Sequence, residues 1–225
     1  MDKKLFIQAM TKFIFGFIIT AFLLFIPAGT LDYWNAWLFI GILFIPMFMV
    51  GIILMINNPD LLRKRLNSKE NESEQKVLLL LGGIMFIGGF IVAGLNYRFQ
   101  WMIIPKWMII IATIIFLLAY LLYAEVLREN MYLSRIIEVQ ENQKVIDIGL
   151  YGIVRHPMYV STILLFLSIP LVLGSIVSFL IFLAYPVLLV KRIRNEEQVL
   201  ERGLEGYSEY KNKVKYKLIP FIWLR

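Results

Sequence analysis

The chain has 225 residues, of which 60% are hydrophobic and 17% are charged, and its mean hydropathy is +0.73. Soluble domains carry about a quarter charged residues, so the composition excludes an ordinary soluble enzyme, a disordered chain and a nucleic-acid-binding domain. The net charge of +7 instead predicts a basic surface that contacts anionic membrane lipid. Cysteine is absent and there is one histidine. The sequence therefore offers no disulfides, thiolate nucleophiles or Cys- or His-rich metal sites.

Four long apolar runs come first, each near the length of about 20 residues that crosses a bilayer core of about 30 Å. Lys3 and Lys4 precede the first run, which is longer than the apolar part of a signal peptide, so we interpret it as a transmembrane helix. The fourth run starts at residue 101, or at residue 107 if Pro105 marks its beginning. The four predicted spans are residues 5–28, 33–56, 77–97 and 101–124.

A fifth apolar stretch, residues 159–190, is too long for one span. Pro170 and the Gly174-Ser175 pair lie near its middle, where a helix breaks and reverses. We therefore expect two short helices in a tight hairpin, which brings both ends of the stretch to one side of the membrane. The prediction is an all-α integral membrane protein with about six transmembrane helices. It forms a single membrane domain, with four helices in residues 1–124 and a C-terminal half in residues 125–225.

The basic residues predict the orientation. Only Arg98 and Lys106, of the 23 Lys and Arg, fall in loops on the side opposite the termini. Lys and Arg collect on the cytoplasmic side, so both termini are predicted to be cytoplasmic in a multi-pass protein of the cell (inner) membrane. Residues 57–76 are polar and are predicted to be an aqueous loop on that side. The glycines of residues 82–94 predict close helix packing in the third span.

Two polar clusters lie at the ends of the predicted hairpin. In the first, Arg155-His156-Pro157 precedes a helix whose first turn suits proline and whose free N–H groups favour an anion. In the second, Lys191 to Glu197 follow the last span. Alone, a single histidine is more commonly a helix cap, and a charged run is more commonly a solvated anchor. The hairpin favours a site because it brings the two clusters together.

The C-terminal segment continues with apolar residues at helical spacing, which predicts an amphipathic cytoplasmic lid over the site. Gly203 and Gly206 are expected to interrupt it. The spaced apolar residues are Ile193, Leu200, Leu204, Tyr207, Val214 and Leu218.

The ordered motifs of the C-terminal half resemble the isoprenylcysteine carboxyl methyltransferase family, which is related to membrane phospholipid N-methyltransferases. The resemblance covers about the last 100 residues. Arg202-Gly203-Leu204 departs from it, because family members usually carry Phe-Gly shortly before the first tail tyrosine. The matching residues are Gly149-Leu150-Tyr151, Arg155 to Tyr159, Arg192, Glu196-Glu197, Leu200, Tyr207 to Tyr210 and Ile219-Pro220.

The resemblance implies an S-adenosylmethionine-dependent methyltransferase. It places the adenosine side of the cofactor against Gln140, Gln143, Lys144, Val145 and Ile146. It places the amino-acid side against Tyr151, His156, Pro157, Met158 and Tyr159, with Glu196 or Glu197 completing the site. Arg192, or else Arg194, would bind the methyl acceptor, and Arg192 and Glu196 are the implied catalytic residues.

The implied acceptor is membrane-associated: the carboxylate of a lipidated cysteine, a lipid amine or a small thiol. A carboxylate needs no deprotonation at neutral pH, which slightly favours it because no dedicated base is evident. Two other functions remain open. Sterol and steroid reductases of membranes resemble the same half with a His-Pro-x-Tyr motif and use a nicotinamide cofactor, but commonly show Asn where Met158 stands. A transporter or scaffold would place ionisable residues at mid-bilayer, and the spans offer little beyond Lys12.

Overall fold

The computed structural model describes residues 2–67, 73–134, 136–137 and 139–220. Every regular element in these ranges is a helix, which confirms the all-α prediction. The helices are α1 (Lys3–Ala28), α2 (Trp34–Asn57), α3 (Pro59–Leu66), α4 (Ser73–Phe99), α5 (Lys106–Glu129), a 3-10 turn (Gly149–Gly152), α6 (Pro157–Val172), α7 (Ile176–Phe182), α8 (Ala184–Gly203) and α9 (Tyr207–Lys213).

Five helical stretches of the described chain are long and apolar enough to cross a membrane, which makes this a multi-pass membrane protein. They are α1, α2, α4, α5 and the combined stretch Ile176–Gly203. Helix α6 is shorter, with 16 residues that span about 24 Å at about 1.5 Å per residue. Six crossings and cytoplasmic termini therefore stay predictions.

The structure corrects the predicted aqueous loop, because part of it is helix α3. The side chain of Asn58 accepts a hydrogen bond from the Leu61 amide at 3.1 Å, and Pro59 occupies the first turn. Both features favour a helix start. Leu61 and Leu62 are buried, so α3 packs one face against the bundle. Positions 68–72 of the predicted loop lie outside the described residues.

The predicted hairpin forms, but Pro170 is not its break. Pro170 lies inside α6, and the chain reverses at Gly174, whose φ of +77° is a left-handed conformation that glycine adopts without strain. Ser175 then caps α7 by accepting a hydrogen bond from the Ser178 amide at 3.1 Å. The returning chain runs antiparallel to α6, and the Tyr185 hydroxyl donates to Thr162 at 2.9 Å.

Helix α4 packs closely through two of its glycines. A Cβ on Gly89 would lie 2.3 Å from the ring of Phe182, and a Cβ on Gly94 would lie 2.6 Å from the Leu24 carbonyl oxygen. A Cβ on Gly82, Gly83 or Gly88 would meet no neighbour within 4 Å. The glycine-rich surface is therefore a packing surface only where α4 meets α1 and α7.

Candidate active site

A cleft with polar and apolar walls lies at one side of the bundle, where α5 ends, α6 begins and the charged part of α8 passes. Its walls are the irregular segment after α5, the 3-10 turn, the first turn of α6, the charged part of α8 and the tyrosines of α9. Its volume is about 110 Å³.

Most of the predicted site residues line this cleft. Their backbones come from three separate segments of the chain, which the hairpin and the fold of the tail bring together. The predicted residues on its walls are Gln143, Lys144, Val145, Ile146, Tyr151, His156, Met158, Tyr159, Arg192 and Glu196.

Four predicted residues are not on the walls. The amide of Gln140 donates to the Tyr132 carbonyl at 2.6 Å and braces the segment after α5. Pro157 is fully buried as the first residue of α6. Glu197 points into a buried ionic cluster. Arg194 lies beside Val77 and Leu78 in a different groove, between α4 and α8.

The buried ionic cluster lies directly behind the cleft. The Glu197 carboxylate accepts from Arg155 Nε at 2.8 Å and pairs with Lys217 Nζ at 2.8 Å. His156 Nε2 lies 3.1 Å from the same carboxylate. A carboxylate held between two cations only accepts hydrogen bonds, so Nε2 of His156 carries the proton that it shares with Glu197. This cluster fixes the Arg155-His156 turn against α8.

Backbone hydrogen bonds tie the C-terminal tail to the same turn. The amides of Arg155 and His156 donate to the carbonyls of Tyr216 and Lys217 at 2.9 and 3.0 Å. The Arg155 guanidinium also donates through Nη1 to the Val214 carbonyl at 2.7 Å. The tail thereby holds both sides of the turn that opens α6.

A second polar group lies on the cleft wall itself. Arg192 Nε donates to the Tyr159 hydroxyl at 3.0 Å, and this hydroxyl donates to Glu196. Arg192 Nη1 also donates to the side-chain oxygen of Gln75 on α4, at 3.0 Å. Glu196 and Arg192 therefore present opposite charges at one end of the cleft, in fixed positions.

Two donors on the cleft walls lack a hydrogen-bond partner among the described residues. They are Nη2 of Arg155 and the hydroxyl of Tyr207, and both atoms are buried. Burial, with the nearby carboxylates of Glu197 and Glu196, raises the pKa of Tyr207, so its hydroxyl stays protonated and remains a donor. Buried donors are normally satisfied. Both atoms are therefore available as donors to acceptor atoms in the cleft.

The sequence did not assign several cleft residues. Arg155 is adjacent to His156 in the motif, and this position was the sequence feature that could have identified it as a cleft residue. Tyr207 and Tyr210 belonged to the tail motif, and Tyr210 donates to the Tyr151 carbonyl at 2.8 Å. The segment after α5 carried no periodic pattern. Its unassigned wall residues are Asn130, Tyr132, Leu133, Ser134, Ile136 and Ile137.

Comparison with known proteins connects this cleft to a family. Residues 107–202 match the model of the Isoprenylcysteine carboxyl methyltransferase (ICMT) family. A stretch of 78 residues is also 33% identical to a Delta(14)-sterol reductase, TM7SF2, of Mus musculus, covering 33% of this chain and 19% of that protein.

The family match extends from the start of α5 to the end of α8 and contains the Arg155-His156-Pro157 turn and the Arg192 to Glu197 run. The resemblance expected from the motifs is thereby confirmed. Residues 107–202 of this membrane protein are similar to the isoprenylcysteine carboxyl methyltransferase family.

Proposed function

We propose that this protein is an S-adenosylmethionine-dependent methyltransferase that acts on a membrane-associated acceptor. The observation that carries the proposal is the pair of unpartnered donors, Arg155 Nη2 and the Tyr207 hydroxyl, in the same cleft as the Glu196 carboxylate. The cofactor's amino-acid end has a carboxylate and an ammonium group. Arg155 and Tyr207 are suited to donate to the carboxylate, and Glu196 is suited to accept from the ammonium or the ribose hydroxyls.

When bound, S-adenosylmethionine supplies an electrophilic methyl group: an acceptor lone pair forms the new bond to carbon, the carbon–sulfur bond breaks with its electrons going to sulfur, and S-adenosylhomocysteine results. The task of this chain is to hold the two reactants at near-attack distance. The wall of α6, with His156, Met158 and Tyr159, is fixed for that purpose by Glu197, which acts as a positioning residue.

The remaining residues divide between the two reactants. Gln143 to Ile146 form a wall for the adenosine, with Gln140 bracing that wall from behind. Arg192 faces the acceptor in this proposal, and its bond to Tyr159 limits where the guanidinium can lie. A carboxylate acceptor is already ionised at neutral pH, whereas an amine or thiol must lose a proton, for which Glu196 is the available carboxylate on the wall.

Binding of radiolabelled S-adenosylmethionine by the purified protein, measured by equilibrium dialysis, tests the site. Glu196→Gln should weaken binding by about tenfold or more, because one charge-assisted interaction is lost. The matched control is Arg194→Gln, on the other side of α8, which should bind like the wild type. Equal affinity in the wild type and Glu196→Gln would contradict the proposed site.

A reductase is the second candidate, and the identity to the sterol reductase favours it. If the protein is a reductase, NADPH should bind the same cleft and S-adenosylmethionine should not. The wall residue after Pro157 is Met158, and the carboxylate of Glu196 on the wall disfavours a phosphate-rich cofactor. Both features support the methyltransferase.

A further inference from the structure

A groove lies between α4 and α8, on a different side of α8 from the active-site cleft. Its volume is about 450 Å³, and Val77, Leu78 and Leu81 of α4 form its apolar wall. The opposite wall belongs to the charged part of α8 and carries two cations and two amides. These four residues are Lys191, Arg194, Asn195 and Gln198.

Helix α8 presents three different faces in this region, because successive residues of a helix point about 100° apart. Arg192 and Glu196 line the cleft. Ile193 and Glu197 are buried. The groove residues of α8 are three or four positions apart and share the third face. The groove is therefore a separate site, although it uses the same helix as the cleft.

The groove lies where both helices change from polar to apolar. On α8, the apolar stretch ends at Val190 and Lys191 follows. On α4, Gln75 and Lys76 precede an apolar run that starts at Val77. Long cationic side chains at the end of a span extend to the membrane interface, while the apolar part of the span contacts hydrocarbon. The cations of the groove therefore lie at the level of the lipid head groups.

The positive charge of the groove is not neutralised within the protein. Lys191 and Arg194 are exposed, and neither forms an ion pair with a described residue. Lys213 of α9, by contrast, pairs with Asp147 at 2.6 Å. The described residues of the groove walls also include no Asp or Glu. The groove consequently favours an anionic ligand.

An exposed apolar strip continues from the groove toward the interior of the bilayer. On α4, Val77, Leu81 and Ile84 are four and three residues apart, lie on one face and are all exposed. From Val77 to Ile84 the strip is about 10 Å long, at about 1.5 Å per residue. On α8, Val187 is exposed one turn before Lys191. These surfaces are suited to contact an acyl chain next to the two cations.

We propose that this groove binds one anionic phospholipid of the bilayer. Lys191 and Arg194 hold the phosphate through charge-assisted hydrogen bonds, and the amides of Asn195 and Gln198 donate to the remaining head-group oxygens. The acyl chain lies along Leu81. Basic pockets between membrane helices are suited to anionic head groups.

The shape of the groove favours a lipid over a soluble phosphate, because the apolar wall adds contact area only for a ligand with a chain. At about 30 Å³ for each water-sized group, a volume of about 450 Å³ exceeds that of a phosphate with its glycerol. The site does not depend on the proposed methyltransferase function, since its residues do not line the cleft.

Two double variants test the charge. Lys191→Gln with Arg194→Gln removes both cations of the groove. Lys3→Gln with Lys4→Gln is the matched control, because it removes the same charge from exposed residues at the start of α1 that do not line the groove. General attraction between the basic surface and anionic lipid falls equally in the two double variants. Only the first should lose the bound lipid.

Two neighbouring leucines of α4 test the apolar wall. Leu81 and Leu80 are both exposed, but Leu80 is not among the groove residues. Leu81→Ala therefore removes contact area from the acyl chain, and Leu80→Ala removes the same atoms outside the groove. Alanine favours a helix, so both variants should fold.

The experiment uses the full chain in detergent, titrated with phosphatidylglycerol or with phosphatidylcholine of the same acyl chains, and counts bound lipid by native mass spectrometry. The wild type should retain one phosphatidylglycerol and bind it at least fivefold more tightly than phosphatidylcholine. The groove double variant should bind phosphatidylglycerol at least fivefold more weakly and Leu81→Ala about threefold more weakly. The α1 double variant and Leu80→Ala should bind it like the wild type.

Thermal unfolding gives a second measurement on the same samples. Without added lipid, all variants should unfold at the wild-type temperature. Phosphatidylglycerol should raise the unfolding temperature of the wild type and of the α1 double variant, because a ligand that binds only the folded state stabilises it. It should raise that of the groove double variant much less. An excess of inorganic phosphate should not displace the lipid.

Equal weakening in the two double variants, or equal affinity of the wild type for the two lipids, would overturn the groove as an anionic site. Equal binding by Leu81→Ala and Leu80→Ala, or displacement by inorganic phosphate, would overturn the lipid as its ligand. S-adenosylmethionine should bind the groove double variant as it binds the wild type. If the wild type does not bind S-adenosylmethionine while the double variants still differ, the proposed function falls and the lipid site stands.

Discussion

At the scale of single residues, the direction of each side chain decides its role. Glu196 and Glu197 are neighbours, but successive residues of a helix point about 100° apart. Glu196 consequently lines the cleft while Glu197 enters the buried ionic cluster. The sequence identified both glutamates as candidates, but it could not show which face of α8 lines the cleft. The same limit applied to Arg192 and Arg194.

The Tyr207 hydroxyl gives the sharpest prediction at this scale. Tyr207→Phe should leave the ligand-free protein as stable as the wild type or stabilise it by about 1 kcal/mol, because a buried donor without a described partner is removed. The same change should weaken S-adenosylmethionine binding several-fold. Thermal unfolding and equilibrium dialysis measure the two effects. A large loss of stability with unchanged affinity would show that the hydroxyl serves the fold and not the ligand.

At the scale of elements, hydrophobicity predicted the apolar parts of the helices, and local hydrogen bonding set their ends. Helix α5 begins at Lys106, directly after Pro105, and so agrees with the later of the two predicted starts. Helix α8 continues to Gly203 through a charged run. A prediction based on the length of the apolar stretch misses this part of the helix. Helix α3 depends on one asparagine cap and two buried leucines in an otherwise polar segment. The irregular wall after α5 has no period and was recognisable only through the family resemblance.

The contact between α1 and α4 can be tested with two glycines of the same helix. Gly94→Ala should destabilise the protein by about 1–3 kcal/mol, because its Cβ would lie 2.6 Å from the Leu24 carbonyl oxygen. Gly88→Ala meets no neighbour within 4 Å and should be neutral or slightly stabilising, since alanine favours a helix. Thermal unfolding in detergent compares them. Equal unfolding temperatures would contradict the close packing of these helices.

At the scale of the whole molecule, the fold joins a family-matched C-terminal half to N-terminal helices that the family match does not reach. Most walls of the cleft lie in the first part, and an apolar cavity between α1, α2, α3, α5 and α6 is completed by the second. The basic residues of α3, the irregular segment and the tail lie at the cleft end. That distribution is the one expected if the cleft opens to the cytoplasm.

The absence of cysteine makes this orientation directly testable. Ser208→Cys, in α9, and Ile103→Cys, in the segment between α4 and α5, each introduce one exposed thiol. A membrane-impermeant maleimide added to bacterial cells that express the protein, with their outer membrane permeabilised, should label Ile103→Cys and not Ser208→Cys. Full lysis should allow both to react. Labelling of Ser208→Cys before lysis would place the cleft on the opposite side and remove its access to cytoplasmic cofactor.

The central claim, that the cleft binds the methyl-donor cofactor, is tested most directly by isothermal titration calorimetry on the purified wild-type protein. S-adenosylhomocysteine, the demethylated product, should bind with one site per chain, and NADPH should give no saturable heat under the same conditions. Saturable binding of NADPH without binding of S-adenosylhomocysteine would contradict the account and establish the reductase in its place.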